Sequence, residues 1–277
     1  MGAELYLRRN EAGRRNDTDA QGEPLIYVAL PAHDERHTAG VLIWRLREIF
    51  AELDRDFRVL ALDDASTDGT AEVLAPYDRV APLTILRNEK RRGYAASLEQ
   101  LIREAVRSSE YPKRDGLLVM QSDFTDDPAC VPDFVRRFQG GADLVAGARA
   151  DFSVAPRATR AVRLGARLVA RPTGIPEGLS DPWYGFRLYR LIALRRALAA
   201  LDGGEPLMTE DGWAANLQLL LRVAPYLRQW VEVEVPFDLS RRYRASRFHP
   251  WSEFRSLYRV ARATRRAAPG GPAAEPA

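Results

Sequence analysis

The chain has 277 residues, 46% of them hydrophobic, which suffices for one large domain with a packed core and rules out a disordered or fibrous protein. Its 41 basic and 38 acidic residues nearly cancel, so overall charge does not point to nucleic acid. Cys130 is the one cysteine and cannot close an internal disulfide, which with the absence of an apolar leader or of a run of about 20 apolar residues leads us to expect a cytoplasmic protein.

The first 23 residues show no apolar period and read as a disordered arm, and the Ala/Pro/Gly-rich end, 267–277, reads as a disordered tail. Between them, residues 24–266 are expected to form one domain with a basic C-terminal extension. Leu25 to Leu30 is a buried strand closed by Pro31, followed by the polar loop AHDERHTAG and a helix with apolar positions at Val41, Ile43, Leu46, Ile49, Phe50 and Leu53. Phe57 to Leu62 is a second strand ending in Asp63 and Asp64, and a helix starts near Thr70. Leu83 to Leu86 is a short third strand. The loop Asn88 to Gly93 is basic, and Tyr94 to Val106 is helical. Leu117 to Met120 is an apolar run of strand length, ending in Gln121, Ser122 and Asp123, with Asp126 and Asp127 just beyond. Alternating strands and helices predict an α/β fold with a mainly parallel sheet between helical layers, an α/β/α sandwich. Further on come strands at Asp143 to Gly147, Phe186 to Tyr189 and Trp230 to Pro236, a helix at Glu210 to Val223 and a terminal amphipathic helix from Leu257 to Arg266. Arg157, Arg160, Arg163, Arg167 and Arg171 recur at near-helical spacing.

Three strands thus end in acid-rich turns: HDE at 33–35, DDASTDG at 63–69 and QSDFTDD at 121–127. Parallel strands put their carboxyl ends on one rim, where open sheets bind ligands, so these turns should converge. Clustered hard oxygens there suit Mg²⁺ or Mn²⁺ against a diphosphate. A single such turn is an ordinary solvated loop with a capping Asp, and only their recurrence argues for a site.

The segments LIYVALPAHDE, LALDDASTDGT, NEKRRGYAASL, LLVMQSDFTDDP, DLVAGAR and YGFRLYR, in this order, resemble the GT-A glycosyltransferases of family 2. The ending VEVPFDLSRRYRASRF is most similar to the polyprenyl-phosphate mannosyl- and glucosyltransferases. The resemblance implies an inverting transferase with a GDP- or UDP-sugar donor and a Mg²⁺ or Mn²⁺ cofactor. On it, Pro31, His33, Glu35, Asp63, Asp64, Gly93 and Ser122 belong to the nucleotide-sugar site, with Asp34 where the family has Asn. Asp123 is the second acid of the family's D-x-D, and Gln121 replaces the first, a weaker ligand for a hard cation; His249 is a further metal-ligand candidate.

Two acceptor classes stay open. An acceptor phosphate is already ionised and needs positive charge rather than a base, and Arg149, Arg160, Arg163, Arg241, Ser246 and Arg247 are candidates to bind it. The polyprenyl phosphate this implies would place the protein at the inner face of the membrane, in peripheral contact with it. A hydroxyl on a glycan acceptor must lose a proton, and Asp211 in Thr209-Glu210-Asp211 resembles the base of such enzymes. Plain capping of the following helix explains the same three residues. A third reading, a nucleotide-sugar-binding domain without catalysis, is favoured by Gln121. A nucleotidyltransferase is rejected, because PAHDERHTAG has one glycine where its phosphate loop needs several.

Overall fold

The computed structural model describes residues 24–149, 157–170, 174–201, 204–236 and 250–267. The first arm, the tail beyond Ala267, which ends the last helix, and the candidates Arg241, Ser246, Arg247 and His249 lie outside them. The elements in chain order are β1 (Ile26–Ala32), α1 (Ala39–Glu52), β2 (Phe57–Asp64), α2 (Thr70–Leu74), β3 (Leu83–Asn88), α3 (Tyr94–Ser108), β4 (Gly116–Val119) and α4 (Val131–Gln139). They continue with β5 (Leu144–Arg149), α5 (Arg157–Ala170), β6 (Arg187–Arg190), α6 (Leu191–Ala199), α7 (Gly212–Val223), β7 (Trp230–Val235) and α8 (Pro250–Ala267).

Among the described residues seven strands form one sheet, in the order β3-β2-β1-β4-β6-β5-β7. Every neighbouring pair is parallel except those of β6, which runs antiparallel to both β4 and β5. The strand order reverses between β1 and β4, and such a switch point opens a crevice at the carboxyl ends of the two strands. Because β5 is antiparallel to β6 as β4 is, its carboxyl end at Arg149 lies on the same rim, as does the turn that enters β6.

Successive strand residues point to opposite faces, and the apolar strands divide accordingly. Ile26, Val28, Leu30, Leu118 and Met120 pack under α1 and α4, whereas Tyr27, Ala29, Leu117 and Val119 pack under α3, α6 and α7. A smaller cluster, with Trp183, Val162, Leu217, Leu257 and Val260, seats α5 and α8 on α7.

Some sequence-based boundaries move. Pro31 does not close the first strand but pairs within it, opposite Leu62, near the strand's end where a missing N–H is tolerated. The last helix begins at Pro250 rather than Leu257, since proline fits a first helical turn. Helix α6 follows β6 directly and was not predicted; its nine residues, LIALRRALA, are too short to show a clear helical period. Among the described residues no helix is long and apolar enough to cross a membrane.

Candidate active site

A cavity of about 360 Å³ opens at the carboxyl rim over the β1/β4 switch point, within the size range of small-molecule sites. The loop after β1 brings Pro31, His33 and Glu35 to it, and the end of β2 brings Asp64. Gln121 and Asp123 arrive from β4, Arg149 from β5, and Asp211 from the start of α7.

These loops are held in tight turns. Asp34, Ala65 and Phe124 all have positive φ, at 56°, 55° and 59°, in the turns after β1, β2 and β4. Such backbone persists only where the surroundings over-determine it, and Asp tolerates it better than most residues. Asp34 is fixed on both sides: its N–H donates to Ser66 Oγ at 2.9 Å, and its Oδ1 accepts from the Thr67 N–H at 3.0 Å. His33 Nδ1 lies 2.9 Å from the Asp64 carbonyl oxygen, and Glu35 accepts from Thr38 Oγ1 at 2.8 Å.

Asp64 is buried, and three donors meet its carboxylate. Oδ1 accepts from Asn88 Nδ2 and the Arg92 N–H, and Oδ2 accepts from the Gly93 N–H, each at 2.8 Å. The aspartate therefore ties the basic loop 88–93 to the end of β2, which carries Arg91 to the cavity wall. Gly93 has φ +91°, and a Cβ there would sit 2.7 Å from Asp211 Oδ2. Only glycine lets the loop pass this close to the acid.

Asp211 stands at the N-cap of α7 but makes no side-chain cap to its own helix. Its Oδ1 instead accepts from the Ala95 N–H, at 2.7 Å, in the first turn of α3. The expected capping of the following helix is therefore not made: the carboxylate rests on the N-terminus of another helix, α3, and borders the cavity. Behind it, Glu253 of α8 accepts from the Trp213 N–H at 3.1 Å, and burial, with Asp211 nearby, pushes the Glu253 carboxyl up.

At the β4 rim, Asp123 Oδ1 accepts from the Thr125 N–H at 2.9 Å, closing the turn that presents it. Asp126 lies fully buried, accepts from the Gln121 N–H at 2.8 Å, and is hydrogen-bonded to the Tyr184 side chain. Burial pushes its carboxyl up to about 6, helped by Asp123 and opposed by those hydrogen bonds and by Arg149. The Arg149 guanidinium lies over the Tyr184 ring at 4.1 Å, so arginine, tyrosine and aspartate form one packed group below the cavity.

For a divalent cation, Asp123 and Gln121 offer two oxygen ligands at the cavity wall, the small protein contribution that Mg²⁺ takes when substrate phosphates and water supply the rest. Among the described residues there is no group of three or more His, Cys, Asp or Glu placed to hold a metal.

Three candidates, Asp63, Ser122 and Arg160, are placed away from the cavity. Asp63 is fully buried, with Oδ1 accepting from the Ser66 N–H at 3.0 Å and Oδ2 3.4 Å from Arg87 Nε. It alternates with Asp64 along β2, so the two side chains point to opposite faces. Ser122 is also buried and donates to the Pro31 carbonyl at 2.9 Å, which ties β4 to β1. Arg160 is on the exposed side of α5, outside the cavity lining; Arg163 falls in the same helix, its side chain outside the described part. The cavity also takes in Trp183, Tyr184, Trp213 and Asn216, which sequence reasoning did not single out as site residues. Asn216 joins three elements: its Oδ1 accepts from the Tyr94 hydroxyl at 2.9 Å and its Nδ2 donates to the Trp183 carbonyl at 3.0 Å. The one signal for it in the sequence is a polar residue on the apolar side of a helix.

The family model described as Glycosyl transferase family 2 matches residues 27–198. A dolichol-phosphate mannosyltransferase of Pyrococcus furiosus is 24% identical over 230 residues, 79% of this chain and 57% of that protein. An undecaprenyl-phosphate 4-deoxy-4-formamido-L-arabinose transferase of Pseudomonas aeruginosa is 27% identical over 181 residues, 64% of this chain and 50% of that protein. The chain therefore spans about half the length of these curated relatives. Among solved structures, glucosyl-3-phosphoglycerate synthase of Mycobacterium tuberculosis, in complex with Mn²⁺, UDP and glucosyl-3-phosphoglycerate, superposes with a TM-score of 0.59 at 20% identity. That match covers 92% of this chain and 85% of the other, and it shows a shared fold.

Proposed function

Because this chain belongs to glycosyl transferase family 2, we propose that it moves a hexose from a nucleotide-diphosphate sugar to a polyprenyl phosphate, with inversion at the anomeric carbon. The observation that carries the reading is the gathering of Asp64, Asp123 and Asp211 with Arg91 and Arg149 around one cavity at the switch point. His33, Glu35 and Gly93 form the end that takes the nucleoside, and Asp64 holds that end together through the loop 88–93. Asp123 with Gln121 would hold Mg²⁺ or Mn²⁺, which when bound neutralises charge developing on the leaving diphosphate. The acceptor oxygen bonds to the anomeric carbon as the bond from that carbon to the diphosphate breaks. A lipid phosphate needs no base, and Arg149 at the cavity wall supplies positive charge for it. The two curated relatives are named for polyprenyl phosphates, which agrees with this choice.

A second reading has its own observation. Asp211 borders the cavity with its carboxylate anchored by Ala95, and as a general base it would take the proton of a hydroxyl acceptor bound there. A binding domain without catalysis would retain the nucleoside end and have no use for that base.

The test is transfer from several labelled nucleotide sugars, with and without Mn²⁺, to a short polyprenyl phosphate and to sugar acceptors. Transfer to the lipid phosphate is expected. Transfer to hydroxyls alone would replace the first reading by the second, and binding without turnover would overturn both. Asp123→Ala should lower turnover on the order of a hundredfold or more on either acceptor.

A further inference from the structure

We infer that Tyr184 and Asp126 are positioning residues for the acceptor phosphate: they fix the Arg149 guanidinium at the cavity wall and join it to the turn that carries Gln121 and Asp123. This role rests on the lipid-phosphate acceptor proposed above. Arg149 is the last residue of β5, and Gly147, two positions earlier, shares its face of the strand. A Cβ on Gly147 would sit 2.9 Å from the Tyr184 ring, so the ring lies directly on the backbone of β5. The Arg149 guanidinium covers the same ring, 4.1 Å from its centre. A tyrosine seated on glycine is thus the floor under the arginine.

That floor is itself held from several sides. Tyr184 meets the Phe186 ring edge-on, with centroids 6.3 Å apart at 74°, and Phe186 stacks on Phe134 at 4.3 Å. The Tyr184 N–H donates to the Asp181 carbonyl at 3.2 Å. Its hydroxyl is hydrogen-bonded to the buried Asp126 carboxyl; burial, with that charge beside it, raises the phenol, which therefore stays protonated and donates. Asp126 also accepts from the Gln121 N–H at 2.8 Å. One buried carboxyl thus ties the turn of Gln121 and Asp123 to the platform of Arg149, across three strands of the sheet. A long arginine loses rotamer freedom when it binds an anion, and a ring that already orders it removes part of that loss. Stacking uses the face of the guanidinium and not its N–H edge, which is the part that meets phosphate oxygens.

The experiment is titration calorimetry of the full chain with farnesyl phosphate, a short polyprenyl phosphate, and separately with UDP and GDP in the presence of Mn²⁺. Tyr184→Phe, which keeps the ring and removes the hydroxyl, should raise the Kd of farnesyl phosphate by about fivefold and leave that of the nucleotides unchanged. Arg149→Met should weaken farnesyl phosphate on the order of thirtyfold, and adding Tyr184→Phe to it should cost nothing more, because the tyrosine acts through the arginine. Asp126→Leu, which releases both of its partners, should weaken the nucleotides as well as the lipid phosphate. Thermal melting verifies that each variant folds, and Tyr184→Phe carries the test where Asp126→Leu does not. Unchanged farnesyl phosphate binding in Tyr184→Phe, equal losses for nucleotide and lipid phosphate in that variant, or additive losses in the double variant would each overturn this inference alone. A native chain that binds UDP or GDP and no farnesyl phosphate would instead overturn the lipid-phosphate reading, and this inference with it.

Discussion

Asp211 is the residue on which the two acceptor readings divide, and its surroundings suggest a clean substitution. Asp211→Asn keeps an oxygen to accept from the Ala95 N–H, so the α3 cap survives while the basic carboxylate is lost. Transfer to a hydroxyl acceptor should then fall by about a hundredfold to ten thousandfold, and transfer to a lipid phosphate should stay near wild type. The same initial-rate assay on both acceptors decides it. Gly93 is the matching test of geometry. Gly93→Ala puts a methyl 2.7 Å from Asp211 Oδ2 at a φ of +91°, so it should cost about 1–2 kcal/mol in thermal unfolding and lower donor affinity along with it. Loss of stability without any effect on donor binding would separate this loop from the nucleoside end.

At the scale of elements, helix ends meet through acids borrowed from elsewhere. Asp64 accepts from Arg92 and Gly93 just before α3, Asp211 from the first turn of α3, and Glu253 from the first turn of α7. The C-terminal helix is therefore linked to the cavity by two successive caps rather than by apolar packing alone. Glu253 has its carboxyl raised by burial, so the fold favours its neutral form. Its contribution to stability is then fully present below the ordinary value of 4.5 and is lost as pH rises through the raised value. Denaturant unfolding across that range should show this fall in the native chain and a flatter profile in Glu253→Gln. An unchanged profile would assign the pH dependence to other groups. Gly212 belongs to the same joint, because a side chain there would run into the Glu253 carboxylate.

At the scale of the whole molecule, the antiparallel strand β6 is what completes the rim. It sits between β4 and β5, and its entry turn Trp183-Tyr184-Gly185 reaches the cavity. Arg187 holds that turn from inside the core. It is 1% exposed and donates to the Pro182 carbonyl at 2.5 Å, the Asn216 carbonyl at 2.9 Å and the Tyr189 hydroxyl at 3.2 Å. Arg187→Met keeps most of the volume but leaves buried carbonyls without donors, a cost of about 3 kcal/mol or more, to be read from the urea midpoint. Stability within about 0.5 kcal/mol of the native chain would show that the turn is held by other contacts.

The sequence by itself determined the alternation of strands and helices, the mainly parallel sheet, and the presence of three acid-rich turns at strand ends. These are local properties, carried by runs such as Leu117 to Met120 and by short-range turn chemistry, and they survive without knowledge of partners. The order of the segments sufficed for the family. Only the tertiary structure decided which carboxylate of a turn faces the cavity: Asp63 and Asp64 are neighbours in sequence, yet the strand's alternation sends one into the core and the other to the rim. It also decided that Asp211 caps α3 rather than its own helix, and that Trp183, Trp213 and Asn216 belong to the site. Those relations join residues as much as 122 positions apart, as Tyr94 and Asn216 are, and no local pattern records a contact that exists only after the sheet has closed.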